Sequence, residues 1–416
     1  MSRRVVVTGM GVVSPVGTGN EMFWNALKSG TCGIREIESF DITDYKAKLA
    51  AEVRDFEPDQ YMDKKAAKRM DRFCQFAVAA AELCMQDAKL NMETVDRDRF
   101  GVLVGSGVGG LQTMGIEQTK LNEGGPRKVS PFMIPMVIVN LASGHIAIRH
   151  GLNGHCSSVV TACATSANTI GDAFRMIKDG YADRMLSGGS EAVICPLGVS
   201  GFTNMTALCT ATDPTRASIP FDRERSGFVM GEGGAVLLLE EYEMAKARDA
   251  HIYGEILGYG STCDAYHITA PEPTGKGAVR AMMDAIRESN IEPEQVGYIN
   301  AHGTSTPPND KMETAAIKTV FGDYAYQIPV SSTKSMMGHT LGAAGAMESM
   351  VCLHALNEQF VPPTIHLREA DPDCDLDYVP NQGRNHSFSY ALTNSFGFGG
   401  HNATLLWGRC DNQDGR

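Results

Sequence analysis

Cys163 is the residue whose type and neighbours best suit attack on a carbonyl. It follows a β-branched run, Val159-Val160-Thr161, and opens a stretch of small residues, Ala164, Thr165, Ser166 and Ala167. That is the pattern of a strand running into a helix. A thiol at a helix start feels the positive end of the backbone dipole, which favours its thiolate. Unpaired backbone N–H groups there can receive an oxyanion, and small neighbours leave room for a substrate carbonyl. A second reading stands beside this one: a small buried hydrophobe, the usual fate of a reduced cysteine.

Two histidines sit at strand-to-turn junctions beside glycine. His302 lies in "NAHGTSTPPND" and His339 in "STKSMMGHTLGAAGA". Either alone reads as structural. Together with Cys163 they satisfy nucleophile-plus-imidazole logic. A cysteine protease would need one histidine backed by Asn or Asp, not two at matching turns. Lys334 and Glu348 flank His339 and could orient it or tune its proton affinity; the alternative is an ordinary surface ion pair. Residues 394–402, "NSFGFGGHN", interleave glycines with aromatics. This reads as a loop that approaches something closely and can move, rather than a plain hairpin turn.

Several functions are set aside. Residues 105–110 read G-S-G-V-G-G, not the dinucleotide fingerprint, and no G-x-x-x-x-G-K-[ST] exists, so no nucleotide cofactor is expected. The 11 cysteines include no Cys-x-x-Cys pair, against both a zinc knuckle and a disulfide framework. The 416-residue chain carries a net charge of −12, which offers nucleic acid no non-specific attraction. The apolar stretch 132–139 is broken by Pro135 and cannot span a bilayer. No targeting segment is seen, and the protein is expected in the cytoplasm. Against the acidic background stands a basic cluster, Lys65, Lys68, Arg69 and Arg72, on one face of a helix predicted over 65–90. Arg127 and Lys128 form a second basic pair. The cluster reads either as a dock for an acidic partner or as a solvated helix face.

The elements that must position these residues alternate strand and helix throughout. Strands are predicted over 3–8, 100–104, 157–161, 184–186 and 235–239, and again over 252–258, 296–301, 328–332, 390–393 and 403–407. The halves echo each other. "FGVLVGSG" answers "VGYINAHG", and "SSVVTACATSANTIGDAF" answers "VSSTKSMMGHTLGAAGAM". Duplicated α/β halves would bring both polar turns to strand ends near a shared centre. An acidic, proline-bearing loop is expected over 369–380, and an unstructured tail after Arg409.

The strings "VTACATSANTIGDAF", "NAHGTSTPPND", "STKSMMGHTLGAAGA" and "NSFGFGGHNA" resemble the β-ketoacyl-acyl-carrier-protein synthases of the thiolase superfamily. "VVVTGMGVVSPVG", "SIPFDRERSGFVMGEGGA" and "YGSTCDAYHITAP" fall in the order that family has, so the resemblance spans the chain. Its two-histidine pattern is that of the elongating enzymes, and its wording is closest to their second type.

The resemblance implies a thiolase-like α/β fold of two duplicated halves, 1–250 with the nucleophile and 251–412 with both histidines, in a layered αβαβα arrangement. It implies decarboxylative condensation of an acyl group on Cys163 with malonyl-acyl carrier protein, in a homodimer without cofactor. It further implies that His302 and His339 bind the malonyl thioester carbonyl, Lys334 holds the histidine pair and Glu348 supports the network. Cys163 and Phe398 amides would form the oxyanion hole, with Phe398 as a gate. Thr269, Thr304 and Thr306 would contact the pantetheine arm, and Val108 would set acyl-pocket length. A polyketide ketosynthase and a non-catalytic binding protein of the same fold are the alternatives; the intact catalytic set argues against the latter. Met337, Thr340 and Ser226 stand where the family usually has Thr, Leu and Asp or Asn.

Overall fold

Every residue of the strand Val5–Ser14 is buried, which requires cover on both faces. The structure, a computed structural model, describes residues 3–410; the end of the expected tail, and of the 251–412 half, lies outside the described residues. Val5–Ser14 lies at the middle of the main sheet. On one side follow Gly233–Glu241 and Arg184–Glu191, each antiparallel to its inner neighbour, then Phe100–Gly105 and Cys156–Ser157, each parallel. On the other side Gly254–Cys263 pairs antiparallel with Val5–Ser14. Outward from it come His401–Gly408 and Tyr390–Gly397, antiparallel, then Val296–Asn300 and Val330–Ser331, parallel.

The two series match in order and direction. Val6 pairs directly with Glu255, and their outward partners are Glu240 and Gly408. The register shift after Val7 recurs after Ile256. A pseudo-two-fold therefore passes through the Val6–Glu255 pair, and the echo in the sequence is a structural repeat. The connection between helix Tyr242–Ala247 and strand Gly254–Cys263 joins the two series.

Helices complete the layers. Arg72–Ala88 covers the outer face of the first series and Lys276–Ser289 that of the second. Thr165–Lys178 and Ala344–Glu358 lie between the series and touch strands of both. The Ala344–Glu358 helix has small or apolar residues on every side and buries all but three of its 15 residues, as a central helix must. Among the described residues no helix is long and apolar enough to cross a membrane.

Three expectations need correction. The helix predicted over 65–90 is two helices, Lys64–Ala67 and Arg72–Ala88. Asp63 accepts from the Lys65 and Ala66 amides, and Asp71 accepts from Phe73 N. Each aspartate caps a fresh start, so Asp71 interrupts the periodic pattern. The strand predicted over 157–161 is only Cys156–Ser157, because Ser158 and Thr165 hydroxyls take up backbone groups beyond it. Residues 394–402 are mostly paired strand. Tyr390–Gly397 and His401–Gly408 form a hairpin whose turn is Phe398, Gly399 and Gly400, both glycines with positive φ.

Candidate active site

Cys163 sits in a 3-10 turn, Ala162–Ala164, that leads into helix Thr165–Lys178. Ala162 holds the left-handed region at φ 50°. The strand end Gly397 packs onto this turn so closely that a Cβ there would lie 2.5 Å from Thr161 O and 3.2 Å from Cys163 N. Glycine is thus needed at 397, and the next residue, Phe398, brings its amide to the thiol. Burial pushes the Cys163 thiol up to about 12; the Lys334 ammonium and the Phe398 and Cys163 amides oppose the rise, while the Glu191 carboxylate adds to it. Desolvation thus works against the thiolate expected at a helix start and favours the thiol form of Cys163.

His302 follows the strand Val296–Asn300, and His339 follows the one-turn helix Lys334–Met337. The rings stand 5.3 Å apart, nearly perpendicular. Phe396 packs edgewise on His302 and Phe228 on His339. Glu313 anchors the His302 turn, accepting from His302 N and Gly303 N, both at 2.8 Å. The Leu341 amide donates to His339 Nδ1 at 3.3 Å, which puts the ring proton on Nε2. Burial and the Lys334 ammonium hold both imidazoles well below their ordinary range, so both are neutral donors near pH 7. Lys334 donates to Glu348 with both side chains out of solvent. Burial pushes the Glu348 carboxyl up to about 7 against the pull of Lys334.

Cys163, His302, His339, Phe398, Val108, Thr269, Thr304 and Thr306 all line one cavity of ≈ 480 Å3. Thr304 and Thr306 share a hydroxyl–hydroxyl bond of 2.9 Å on one wall. Thr269 stands in the loop whose Ile268 carbonyl accepts from Gly399 N of the hairpin turn. Lys334 and Glu348 lie behind the histidines rather than in the wall. Of the departures from the family pattern, Ser226 lines the cavity, whereas Met337 and Thr340 are packed inside, away from it.

The basic residues lie elsewhere. Lys65, Lys68 and Arg69 are exposed, as are Arg127 and Lys128. Arg69 stacks 4.5 Å over the Phe132 ring, which joins the two basic segments in space. The expectation of one shared helix face fails at the break before Arg72. Arg72 is also committed inward: Nη2 donates to Glu232 and to Val53 O, both at 2.7 Å.

Two carboxylates in contact with the site escaped the sequence reading. Glu313 is flanked by other charged residues and carries no signal. Glu191 does carry one: it is the sole formal charge between Arg184 and Asp213. A lone acid in such a run has to be buried or functional.

Family models for the β-ketoacyl synthase N-terminal and C-terminal domains match residues 2–245 and 253–368. The chain is 53% identical to the 3-oxoacyl-[acyl-carrier-protein] synthase 2 of Synechocystis, over 97% of this chain and 98% of that one. The synthase 2 of Coxiella burnetii is 47% identical, over 98% and 99%. Among solved structures, a type II polyketide ketosynthase in complex with its acyl-carrier protein superimposes with TM-score 0.92 at 37% identity, over 99% of this chain and all of that one. A β-ketoacyl synthase from Burkholderia phymatum gives 0.92 at 35%, over 98% of this chain and all of that one. With its two-half sheet, its paired turns and these likenesses along nearly its whole length, the chain belongs to the β-ketoacyl synthase family.

Proposed function

We propose that the chain is an elongating condensing enzyme of fatty-acid synthesis. It joins an acyl group held on Cys163 to malonyl-acyl carrier protein and releases 3-oxoacyl-acyl carrier protein and carbon dioxide. The observation that carries this reading is the convergence of one thiol and two neutral imidazoles on a single cavity, with a buried Lys334–Glu348 pair behind them.

In the first step the Cys163 sulfur attacks the thioester carbonyl of acyl carrier, its proton passing to the departing carrier thiol. The amides of Cys163 and Phe398 receive the tetrahedral oxyanion. In the second, the imidazole N–H groups of His302 and His339 bind the malonyl thioester carbonyl while the C–C bond to the carboxylate breaks. Decarboxylation supplies the electron pair, so no strong base is needed. The enolate carbon attacks the Cys163 thioester and the thiolate leaves, to be reprotonated. Lys334 keeps the imidazoles unprotonated, and Glu348 offsets its buried charge. Thr269, Thr304 and Thr306 hold the pantetheine arm, Val108 bounds the acyl pocket, and Phe398 moves as the chain enters.

The carrier docks on Lys65, Lys68, Arg69, Arg127 and Lys128. Cytoplasmic residence and the division at 250/251 belong to the same proposal, as does a homodimer. In the second half the edge strand Val330–Ser331 is covered, Val330 N donating to Asp377 O at 2.8 Å. Its counterpart Cys156–Ser157 ends the sheet with Cys156 exposed and Val160 53% exposed, an edge that a second copy would cover.

Incubation with acyl carrier and malonyl carrier should yield a product two carbons longer with a 3-oxo group, one carbon dioxide per turnover. Absence of carbon dioxide and product would overturn the proposal. A series of poly-β-oxo products would favour the polyketide reading, which the 37% identity to the polyketide ketosynthase keeps in view.

A further inference from the structure

Glu191 ends the strand Arg184–Glu191 and pairs with Gly233. In the other half Gly397 ends the strand Tyr390–Gly397 and pairs with His401. The starts of these strands match too: Arg184 pairs with Phe100 and Glu240, Tyr390 with Val296 and Gly408. Glu191 and Gly397 are therefore pseudo-two-fold counterparts. So are the turns they face. Ala162–Ala164 leads into Thr165–Lys178, and Leu341–Ala343 leads into Ala344–Glu358. Cys163 corresponds to Gly342.

The two halves use this arrangement differently. Gly397 has no side chain, and both it and Cys163 line the cavity. Glu191 instead extends its carboxylate into the equivalent place. Oε2 accepts from Gly342 N at 3.1 Å and Gly107 N at 2.8 Å. Oε1 accepts from Ser106 Oγ at 2.6 Å and Val108 N at 3.2 Å. Burial raises the Glu191 carboxyl above its ordinary range and the four donors oppose the rise; three of them are amides, which have no acceptor role, so the cradle favours the carboxylate form. The fit is tight: a Cβ on Gly107 or Gly342 would come within 2.7 or 2.9 Å of Glu191 Oε2.

We infer that Glu191 is a positioning residue of the condensation: its carboxylate fills the counterpart of the oxyanion pocket and ties the Val108 turn to the turn after His339. This rests on the reading of Cys163 as nucleophile. Of the two counterpart turns, only the one at Cys163 is then left open to an oxyanion. The tie fixes the acyl-pocket wall through Val108 N. It also steadies Gly342, next to Leu341, whose amide sets the His339 tautomer. The negative charge shares the cavity with Cys163 and opposes a second anion there.

The test compares the full-length parent with Glu191→Gln and Glu191→Asp. A Gln places an NH2 against at least one amide donor and removes the charge; an Asp keeps the charge and shortens the reach. Iodoacetamide alkylation is followed against pH, with the modified peptide mapped by mass. Acylation from a short-chain and a long-chain acyl carrier is measured beside it. In Glu191→Gln the pH midpoint for Cys163 alkylation should fall by at least about 0.5 units, because a like charge has gone. In Glu191→Asp the midpoint should hold. In both, the short-to-long acylation ratio should change by at least about threefold. An unmoved or raised midpoint in folded Glu191→Gln, or an unchanged ratio in either variant, overturns the inference. If Glu191→Gln does not fold, Ser106→Ala replaces it, and an unchanged ratio there overturns the inference equally. Parent alkylation that maps to other cysteines, with Cys163 unmodified across the pH range, sinks the nucleophile reading itself. An unmoved midpoint leaves that reading standing.

Discussion

Ala162 and Leu341 hold the same left-handed backbone, φ 50° and 48°, each one residue before an equivalent position in the two halves, Cys163 and Gly342. Neither is glycine, so each turn stores on the order of 1–3 kcal/mol of strain that the surrounding packing must hold. Each turn opens a buried helix, Thr165–Lys178 in one half and Ala344–Glu358 in the other. One turn is left open beside the thiol, and the other is filled by Glu191.

Replacing Cys163 with Ala should abolish acyl transfer and leave the fold intact. The turn is closed by Ala164 N donating to Thr161 O, and the sulfur meets the Phe398 and Cys163 amides without closing it, so its loss should cost only about 1 kcal/mol of stability. Intact-protein mass after exposure to acyl carrier should show one added acyl group in the parent and none in the variant. Persistent acylation at a single site would remove Cys163 from its role.

His302→Ala and His339→Ala should each slow carbon dioxide release from malonyl carrier by about 100-fold or more, the scale for a lost transition-state donor. Acylation of Cys163 should persist in both at a reduced rate. Equal loss of the two steps in both variants would place the histidines in acyl transfer instead.

The pH dependence of decarboxylation follows from the direction of the histidine shifts. Both imidazoles have pKa values depressed well below the ordinary 6.5 by burial, with the Lys334 ammonium adding to the depression. The neutral donors therefore survive as pH falls through that value and are lost only at the depressed one. Protonation of Glu348 near 7 leaves the Lys334 ammonium in place and so does not charge the rings; initial rates of carbon dioxide release should stay level from pH 8 to below pH 6 (about half a unit beyond the ordinary midpoint). A drop centred near 6.5 would mean the rings titrate normally.

Lys334 and Glu348 are buried together, so removing one strands the other. Lys334→Ala should destabilise the protein by about 3–5 kcal/mol. The double change Lys334→Met with Glu348→Leu should recover most of that loss in chemical denaturation, while decarboxylation stays absent. A double variant no more stable than the single one would assign the cost to packing rather than to the unpaired charge.

Charge reversal at Lys65, Lys68 and Arg69 together should raise the KM for carrier-bound substrate by about tenfold or more, and added salt should weaken the parent in the same direction. Turnover of a small acyl-pantetheine mimic should hold. Arg72→Glu should behave differently: it strands the buried Glu232 carboxylate, so it should lower Tm before it affects docking. Equal harm to carrier and mimic in the triple variant would make the patch structural.

What the chain's order of residues determined by itself was the alternation of elements, the repeat and the catalytic types. Strands buried on both faces read as apolar runs, and the turns at Cys163, His302 and His339 read as polar breaks within them. Local pattern carries these because it reflects hydrogen-bonding period and burial along the chain. Only the tertiary structure decided how those residues act. The break before Arg72 has a local cap in Asp71, but what holds the other carboxylate oxygen of Asp71 is Thr113, far along the chain. The resting state of Cys163 depends on how completely other segments exclude water from it. The role of Glu191 depends on amides from two distant turns meeting at one carboxylate. Desolvation and long-range hydrogen bonds are properties of the packed whole, and no window of sequence contains them.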